Sequence, residues 1–286
     1  MSRIEQALKK VAGNQAVNKN KQPDEDISPA KTVAPEKTVS VDEVPDSQTV
    51  PAATFVPAAS SLKLNNPMLL TTMHGDRSPV AEEYNKLRSL VVKLTKGETF
   101  LNTIMITSTI GEEGKSLTSL NLAIALAREY DHTVLLVDTD LRRPSLHKHL
   151  GIDSKPGLIQ CLKDNFPLHK ALIKTGLGKL VFLPSGGTLK DPVETLSSNR
   201  MKELISELKN RYPERYVIFD TPPSLPFADA QVLAPSVDST IFVVREGKAK
   251  AQDVKEAITN LQGTNLLGVV YNDAKTTARK KHYYYY

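Results

Sequence analysis

Four groups of residues in this 286-residue chain have types and spacing suited to phosphate chemistry. The first is the run Thr109-Ile110-Gly111-Glu112-Glu113-Gly114-Lys115-Ser116. Between a strand and a helix, the backbone N–H groups of such a loop and the helix N-terminus bind phosphate oxygens. Lys115 would then reach the β- and γ-phosphates, and the Ser116 hydroxyl would ligate magnesium. The second and third groups are carboxylates: Asp138 and Asp140 follow Val134-Leu135-Leu136-Val137, and Asp220 follows Tyr216-Val217-Ile218-Phe219. Apolar runs of this kind are buried strands, and in a parallel sheet the strand C-termini share the edge where ligands bind. All three aspartates are therefore expected beside Lys115. Asp138 and Asp220, with Ser116, would serve magnesium, directly or through water, and Asp138 and Asp140 would join Lys115 as the catalytic set. The fourth group is Tyr283, Tyr284, Tyr285 and Tyr286, behind Arg279, Lys280, Lys281 and His282; nearly half of the nine tyrosines are here. A packed fold has little use for four phenols at a chain end. As hydroxyls, they can accept phosphoryl groups, so the chain is expected to phosphorylate its own tail.

The elements needed to position these residues are legible as periodicity. Residues 82–94 read as a helix with Tyr84, Leu87, Leu90, Val91 and Leu94 on one side. Strand 103–108 precedes the phosphate loop, and helix 116–130 follows it with Leu117, Leu120, Ala123, Ile124 and Ala127 inward. Then come strand 133–138, short helices at 157–164 and 168–174, strand 179–183, and helix 192–211. Strands 216–220 and 240–244, helix 251–262 and strand 267–271 complete the order. Such alternation implies an α/β protein of the P-loop NTPase type, a mainly parallel sheet with helices on both faces. The nucleotide cradle is expected to comprise Gly111, Glu112, Glu113, Gly114, Lys115, Ser116 and Leu117. Asn272 would lie toward adenine, and Arg142 is either structural or a phosphate contact.

Composition sets the boundaries. Residues 12–70 hold seven of the eighteen prolines and a single aromatic, Phe55, too little apolar surface to offset the entropy of ordering. They read as a disordered linker. It lies between a short amphipathic helix at 1–11, with Ile4, Ala7, Leu8 and Val11 as its stripe, and a folded domain at 71–272. Residues 273–286 form a flexible basic tail. The net charge of +5 concentrates in the termini, with +2 over residues 1–11 and +3 over 273–286, so the folded part is near balance. A nucleic-acid binder would carry its excess on the folded domain. The single cysteine, Cys161, excludes an internal disulfide, and no apolar run nears the ~20 residues that span a bilayer. A cytoplasmic protein is expected.

Together these residues resemble the bacterial tyrosine kinases, P-loop enzymes of polysaccharide export. The phosphate loop, Asp138-Thr139-Asp140-Leu141-Arg142-Arg143-Pro144 and the strand ending at Asp220 match that family's three Walker motifs in order, and the tyrosine tail completes the pattern. Residues 78–88 are similar to its oligomerisation helix, with Glu82 and Arg88 matching and Asn85 in place of the middle arginine. The loop departs too: the family usually has Pro-Gly-Glu-Gly-Lys where this chain has Gly111-Glu112-Glu113-Gly114-Lys115. The start of the chain, residues 1–8, is similar to the autokinases accompanying exosortase and exopolysaccharide systems. The resemblance implies use of ATP and Mg2+, autophosphorylation between subunits of a homo-oligomer, and control of exopolysaccharide synthesis and export. It also implies a membrane-embedded chain-length regulator as activator, a phosphotyrosine phosphatase as antagonist, and a place at the inner face of the plasma membrane through that partner.

The alternative is a partitioning or division-site ATPase acting as a nucleotide-dependent assembly switch. That class resembles this chain in sheet and Walker order. It carries an early loop lysine where Ile110 stands here, and it has no use for a tyrosine tail.

Overall fold

In the computed structural model, residues 79–275 are described, apart from Ser154, Pro213, Gln262 and Gly263. The expected N-terminal helix, the linker and the four terminal tyrosines lie outside the described residues.

The centre of the molecule is a seven-stranded sheet in the order β3-β4-β2-β5-β1-β6-β7. Its strands are β1 (Thr103–Ser108), β2 (Thr133–Asp138), β3 (Ile173–Lys174), β4 (Leu180–Leu183), β5 (Arg215–Asp220), β6 (Ser239–Arg245) and β7 (Asn265–Asn272). All pair in parallel except β3, which runs antiparallel to β4. Successive side chains on a strand point to opposite faces. Val134, Leu136, Tyr216 and Ile218 accordingly join one apolar cluster, and Leu135, Val137, Val217 and Phe219 join the other. Both faces are covered, which explains why the strands are apolar throughout rather than alternating.

On one face lie α1 (Pro79–Thr95) and α2 (Lys115–Ala127). Every residue of α2 from Thr118 to Ala127 is buried, because α1 packs against it from outside. The sequence reading gave α2 one inward face; a helix this apolar all round needs cover on every side. For α1, the expected single apolar side is corrected. Ala81, Val91 and Thr95 are buried, whereas Leu90 and Leu94 face solvent together with Val80.

On the same face, α3 (Leu146–His149) buries Leu146 in the cluster that α2 joins. The opposite face carries α4 (Leu158–Lys163), α5 (Leu168–Ala171), α6 (Val193–Ser197), α7 (Asn199–Asn210), α8 (Asp229–Leu233) and α9 (Ala251–Thr259). Two further expectations change. The helix at 168–174 ends at Ala171, and Ile173 and Lys174 form the edge strand β3. The helix at 192–211 is broken at Ser198, whose backbone turns extended (ψ 153°) and whose hydroxyl accepts the Met201 N–H as the cap of α7. Both α3 and α8 went unforeseen. Among the described residues, no helix is long and apolar enough to cross a membrane.

Candidate functional site

The loop from Thr109 to Gly114 leaves β1 and enters α2 through Gly114, which adopts φ 90°. A side chain there would collide with Asn272, since a Cβ would lie 2.1 Å from its Nδ2. Asn272, the last residue of β7, donates to the Glu113 carbonyl at 2.9 Å. Its amide thus braces the loop from behind. Glu113 is fully buried: its carboxylate accepts the Ile110 N–H at 2.8 Å and the Arg245 N–H at 3.3 Å, tying the loop to the end of β6. Glu112 points outward with φ 63° and meets Lys248 at 2.8 Å. That left-handed backbone stands where the resembling family has glycine, and it costs a non-glycine residue about 1–2 kcal/mol. Lys248 and the neighbouring Arg245 hold the Glu112 carboxyl below its usual range.

Lys115 and the three aspartates meet as expected. The parallel register sets Asp138 opposite Asp220 at the carboxyl ends of β2 and β5. Lys115 Nζ lies 2.8 Å from Asp140 Oδ2, 4.0 Å from Asp220 Oδ2 and 3.1 Å from Ser116 Oγ. Burial alone would lower the Lys115 pKa, but the charges of Asp220, Asp140 and Asp138 outweigh it and hold the ammonium firmly protonated. Burial raises Asp138 well above the usual carboxylate range, and Asp220 and Asp140 push it further. Burial likewise raises Asp220, against the pull of Lys115. Asp138 Oδ2 accepts the Leu146 N–H at 3.4 Å, Asp140 Oδ1 the Arg143 N–H at 2.9 Å, and Asp220 Oδ1 the Ser119 hydroxyl at 3.0 Å. Asp138 Oδ1 and Asp220 Oδ2 are buried without any hydrogen-bond partner. Orphaned anionic oxygens beside a serine hydroxyl suit a hard cation that keeps waters and phosphate oxygens as its other ligands. Magnesium therefore fits this donor set.

Three features of the site add to the sequence reading. Ser119 lies one turn beyond Lys115 on the same face of α2, a spacing that could have flagged its hydroxyl. Arg142 holds the fully buried Asp229 with two nitrogens at 3.0–3.1 Å and stacks on Phe227, so its guanidinium is already engaged. Arg88 lies 3.2 Å from Glu129 of its own chain, off the line of a hydrogen bond, while Glu82 is exposed on the first turn of α1.

A lysine and buried carboxylates at the carboxyl edge of a parallel sheet, beneath a glycine-bearing loop, make a P-loop nucleotide site. Residues 104–284 match the CobQ/CobB/MinD/ParA nucleotide binding domain, and the chain belongs to that family. Its relatives are narrower in kind. The chain is 35% identical over 208 residues to the tyrosine-protein kinase YwqD of Bacillus subtilis, covering 72% of this chain and 86% of that one. The kinase domain of the Escherichia coli tyrosine kinase ETK superposes with TM-score 0.66 at 29% identity, covering 78% of this chain and 87% of that domain. The septum site-determining protein MinD from Pyrococcus horikoshii, complexed with Mg-ADP, reaches 0.52 at 27% identity, over 62% and 72%. Within the wider family, the chain is a bacterial tyrosine-protein kinase.

Proposed function

We propose that the chain is an ATP-dependent autokinase that phosphorylates Tyr283 to Tyr286 on a second copy of itself, and thereby regulates exopolysaccharide synthesis and export. The observation that carries this reading is the meeting of Lys115 with Asp138, Asp140 and Asp220 at the sheet edge, in a chain that ends in four phenols.

A tyrosine hydroxyl has a reference pKa of about 10 and is protonated at neutral pH, so transfer needs a group to take its proton. Asp138 has an unengaged, buried oxygen and a raised pKa, both suited to proton acceptance. The phenolic oxygen bonds to the γ-phosphorus as the bond to the bridging oxygen of ADP breaks, and the phenolic proton passes to Asp138. Lys115 stabilises charge on the transferring group, with Asp140 orienting its ammonium at 2.8 Å. The backbone of Gly111, Glu112, Glu113 and Gly114, followed by the N-terminal N–H groups of Lys115, Ser116 and Leu117, cradles the phosphates. Magnesium, held by Ser116, Asp138 and Asp220, would neutralise phosphate charge.

The domain plan proposed is a helix at 1–11, a linker at 12–70, the kinase domain at 71–272 and a basic tail at 273–286. Fully extended, residues 273–286 reach at most about 50 Å, so a neighbour's site must lie within that span of the end of β7. Glu82 and Arg88 on α1 are the proposed contacts between copies. A membrane-embedded chain-length regulator would place the protein at the inner face of the membrane and activate it, and a phosphotyrosine phosphatase would reset it. The deciding experiment incubates purified protein with Mg-ATP and maps phosphate by mass spectrometry. Phosphate on Tyr283 to Tyr286 is expected. ATP turnover with an unmodified tail would instead favour a nucleotide-dependent assembly switch, the reading to which the fold likeness to MinD lends support.

A further inference from the structure

Beside the carboxylates, the segments after β2 and β4 enclose a cavity of about 510 Å³, within the ~300–1,000 Å³ common for ligand sites. Its charge is opposite to that of the neighbouring aspartates. Arg143, Lys148 and Lys155 line it against one acidic residue, Asp153. None of the three cations has a carboxylate partner within 4 Å among the described residues. The wall across from them is the turn Ser185-Gly186-Gly187, with φ 81° and 137° at the two glycines. Its course is tightly constrained: a Cβ on Gly186 would lie 2.0 Å from the Gln160 side chain, and one on Gly157 would lie 2.1 Å from the Pro184 carbonyl.

The cavity shares its framework with the catalytic carboxylates. Arg143 donates its backbone N–H to Asp140, and the next turn donates the Leu146 N–H to Asp138. One short stretch of chain therefore fixes the carboxylates and presents the cations. Nothing in the transfer step uses those cations. What they suit is a group that becomes anionic through the reaction itself. A phosphotyrosine carries about −1.5 to −2 charge and three acceptor oxygens, and an arginine can grip it with paired hydrogen bonds. The tail supplies such groups next to unreacted ones. In extended chain, residues two apart point the same way at a separation of roughly 6.6–7.2 Å, so a modified tyrosine and an unmodified one in the cluster can address adjoining sites.

We propose that this cavity is a phosphotyrosine subsite. It holds a residue among Tyr283 to Tyr286 already phosphorylated on a second copy, while a neighbouring tyrosine enters the carboxylate site. This rests on the autokinase reading and gives it an order: the first transfer is slow to engage and later ones follow without release. A fully phosphorylated tail exceeds the charge of three cations and departs.

The test uses the full chain and the double variant Lys148→Ala/Lys155→Ala, with equal melting curves establishing that both are folded. A labelled peptide of residues 273–286 bearing one phosphotyrosine should bind the variant about tenfold more weakly or worse, as loss of charge-assisted contacts implies. The unphosphorylated peptide should bind both equally. In a time course with Mg-ATP, the variant should place its first phosphate at the wild-type rate and then accumulate singly phosphorylated tails. Equal phosphopeptide affinity for both proteins overturns the subsite, and so does an unchanged distribution of phosphates per tail. A wild type that never phosphorylates its tail overturns the kinase reading instead, and the peptide measurement then judges the cavity alone.

Discussion

Replacing Lys115 with Met would ordinarily be taken as a clean loss of phosphate binding. In this structure, it also removes the cation that sits among three buried carboxylates. The lysine side chain is 12% exposed, Asp140 is 6% exposed, and Asp220 is fully buried. Deleting one partner from a buried ion pair costs about 3–5 kcal/mol, because the charge left behind is uncompensated. For a domain of this size, each kcal/mol moves Tm by about 2–4 °C, so Lys115→Met should melt roughly 6–20 °C below wild type without nucleotide or metal. Proton uptake by Asp138, already favoured by its burial, would hold the loss toward the lower end. Adding Asp140→Asn removes the carboxylate that lies 2.8 Å from the lysine. The double variant should regain part of the lost stability, with a coupling of about 0.5–3 kcal/mol, as contacting groups show. Tail phosphorylation should fall by at least ~10²-fold in both, the loss seen when a preorganised transition-state donor is removed. Circular dichroism melts give the first quantity and phosphotyrosine mass spectrometry the second. A Lys115→Met protein that melts with wild type would refute the idea that the lysine neutralises the cluster. Undiminished phosphorylation in a folded Lys115→Met protein would refute the site.

Further outcomes are expected. Asp138→Asn should depress phosphoryl transfer far more than nucleotide binding; equal losses in fluorescence-detected binding and in turnover would leave Asp138 as a binding residue alone. Arg142→Ala leaves Asp229 buried without its partner and should destabilise the fold by about 3–5 kcal/mol in urea melts; Arg142→Ala with Asp229→Leu should recover much of that. When Lys115→Met protein with an intact tail is mixed with active protein lacking residues 283–286, phosphate should appear on the inactive partner, and its absence would place transfer within one chain. Changing all four terminal tyrosines to Phe keeps the rings and removes the acceptors. Each phosphate adds about −1.5 to −2 charge and should repel the tail from a neighbour's carboxylates, so light scattering should show an all-Phe assembly that Mg-ATP no longer loosens; a wild type whose mass stays constant when fully phosphorylated would show that tail charge does not control assembly.

The elements that deliver the site were legible because their signals are local. Val134 to Val137 and Tyr216 to Phe219 are short apolar runs, rich in β-branched or aromatic residues, between helical segments, which read as strands buried on both faces, and a parallel sheet must bring their terminal aspartates to one edge. Gly114-Lys115-Ser116 then fixes where that edge meets the phosphate loop. Errors arose where a tertiary contact overrode local preference. Ser198 sits in a stretch with helical periodicity, yet its hydroxyl gains more by capping α7 than by continuing α6. Ile173 and Lys174 follow a helical turn, but β4 offers them an unpaired edge. Leu90 and Leu94 look like core residues by spacing, but Ala81, Val91 and Thr95 are the positions that α1 buries, which leaves both leucines facing outward.

The parts of the site that the sequence concealed are those in which a residue acts through a distant one. Asn272 was expected toward adenine on the strength of its place after the last strand. In the structure, its amide also donates to the Glu113 carbonyl, 159 positions away in the chain, against a glycine that must be bare to admit it. Glu113 reads as a loop acid and is a buried brace between loop and β6. Arg142 was open between two roles until Asp229, from a helix too short to foresee, claimed it. In each case the local pattern is that of a polar loop residue, and only the sheet order places its partner beside it. The loop is therefore supported by β6 and β7, the last strands among the described residues, and the chain leaves that support at Asp273. Arg245 carries the connection further, donating its backbone N–H to Glu113 and its guanidinium to Asp273 at 2.7 Å. Asp273, Arg245 and Glu113 thus form one line of contacts from the end of β7 to the phosphate loop.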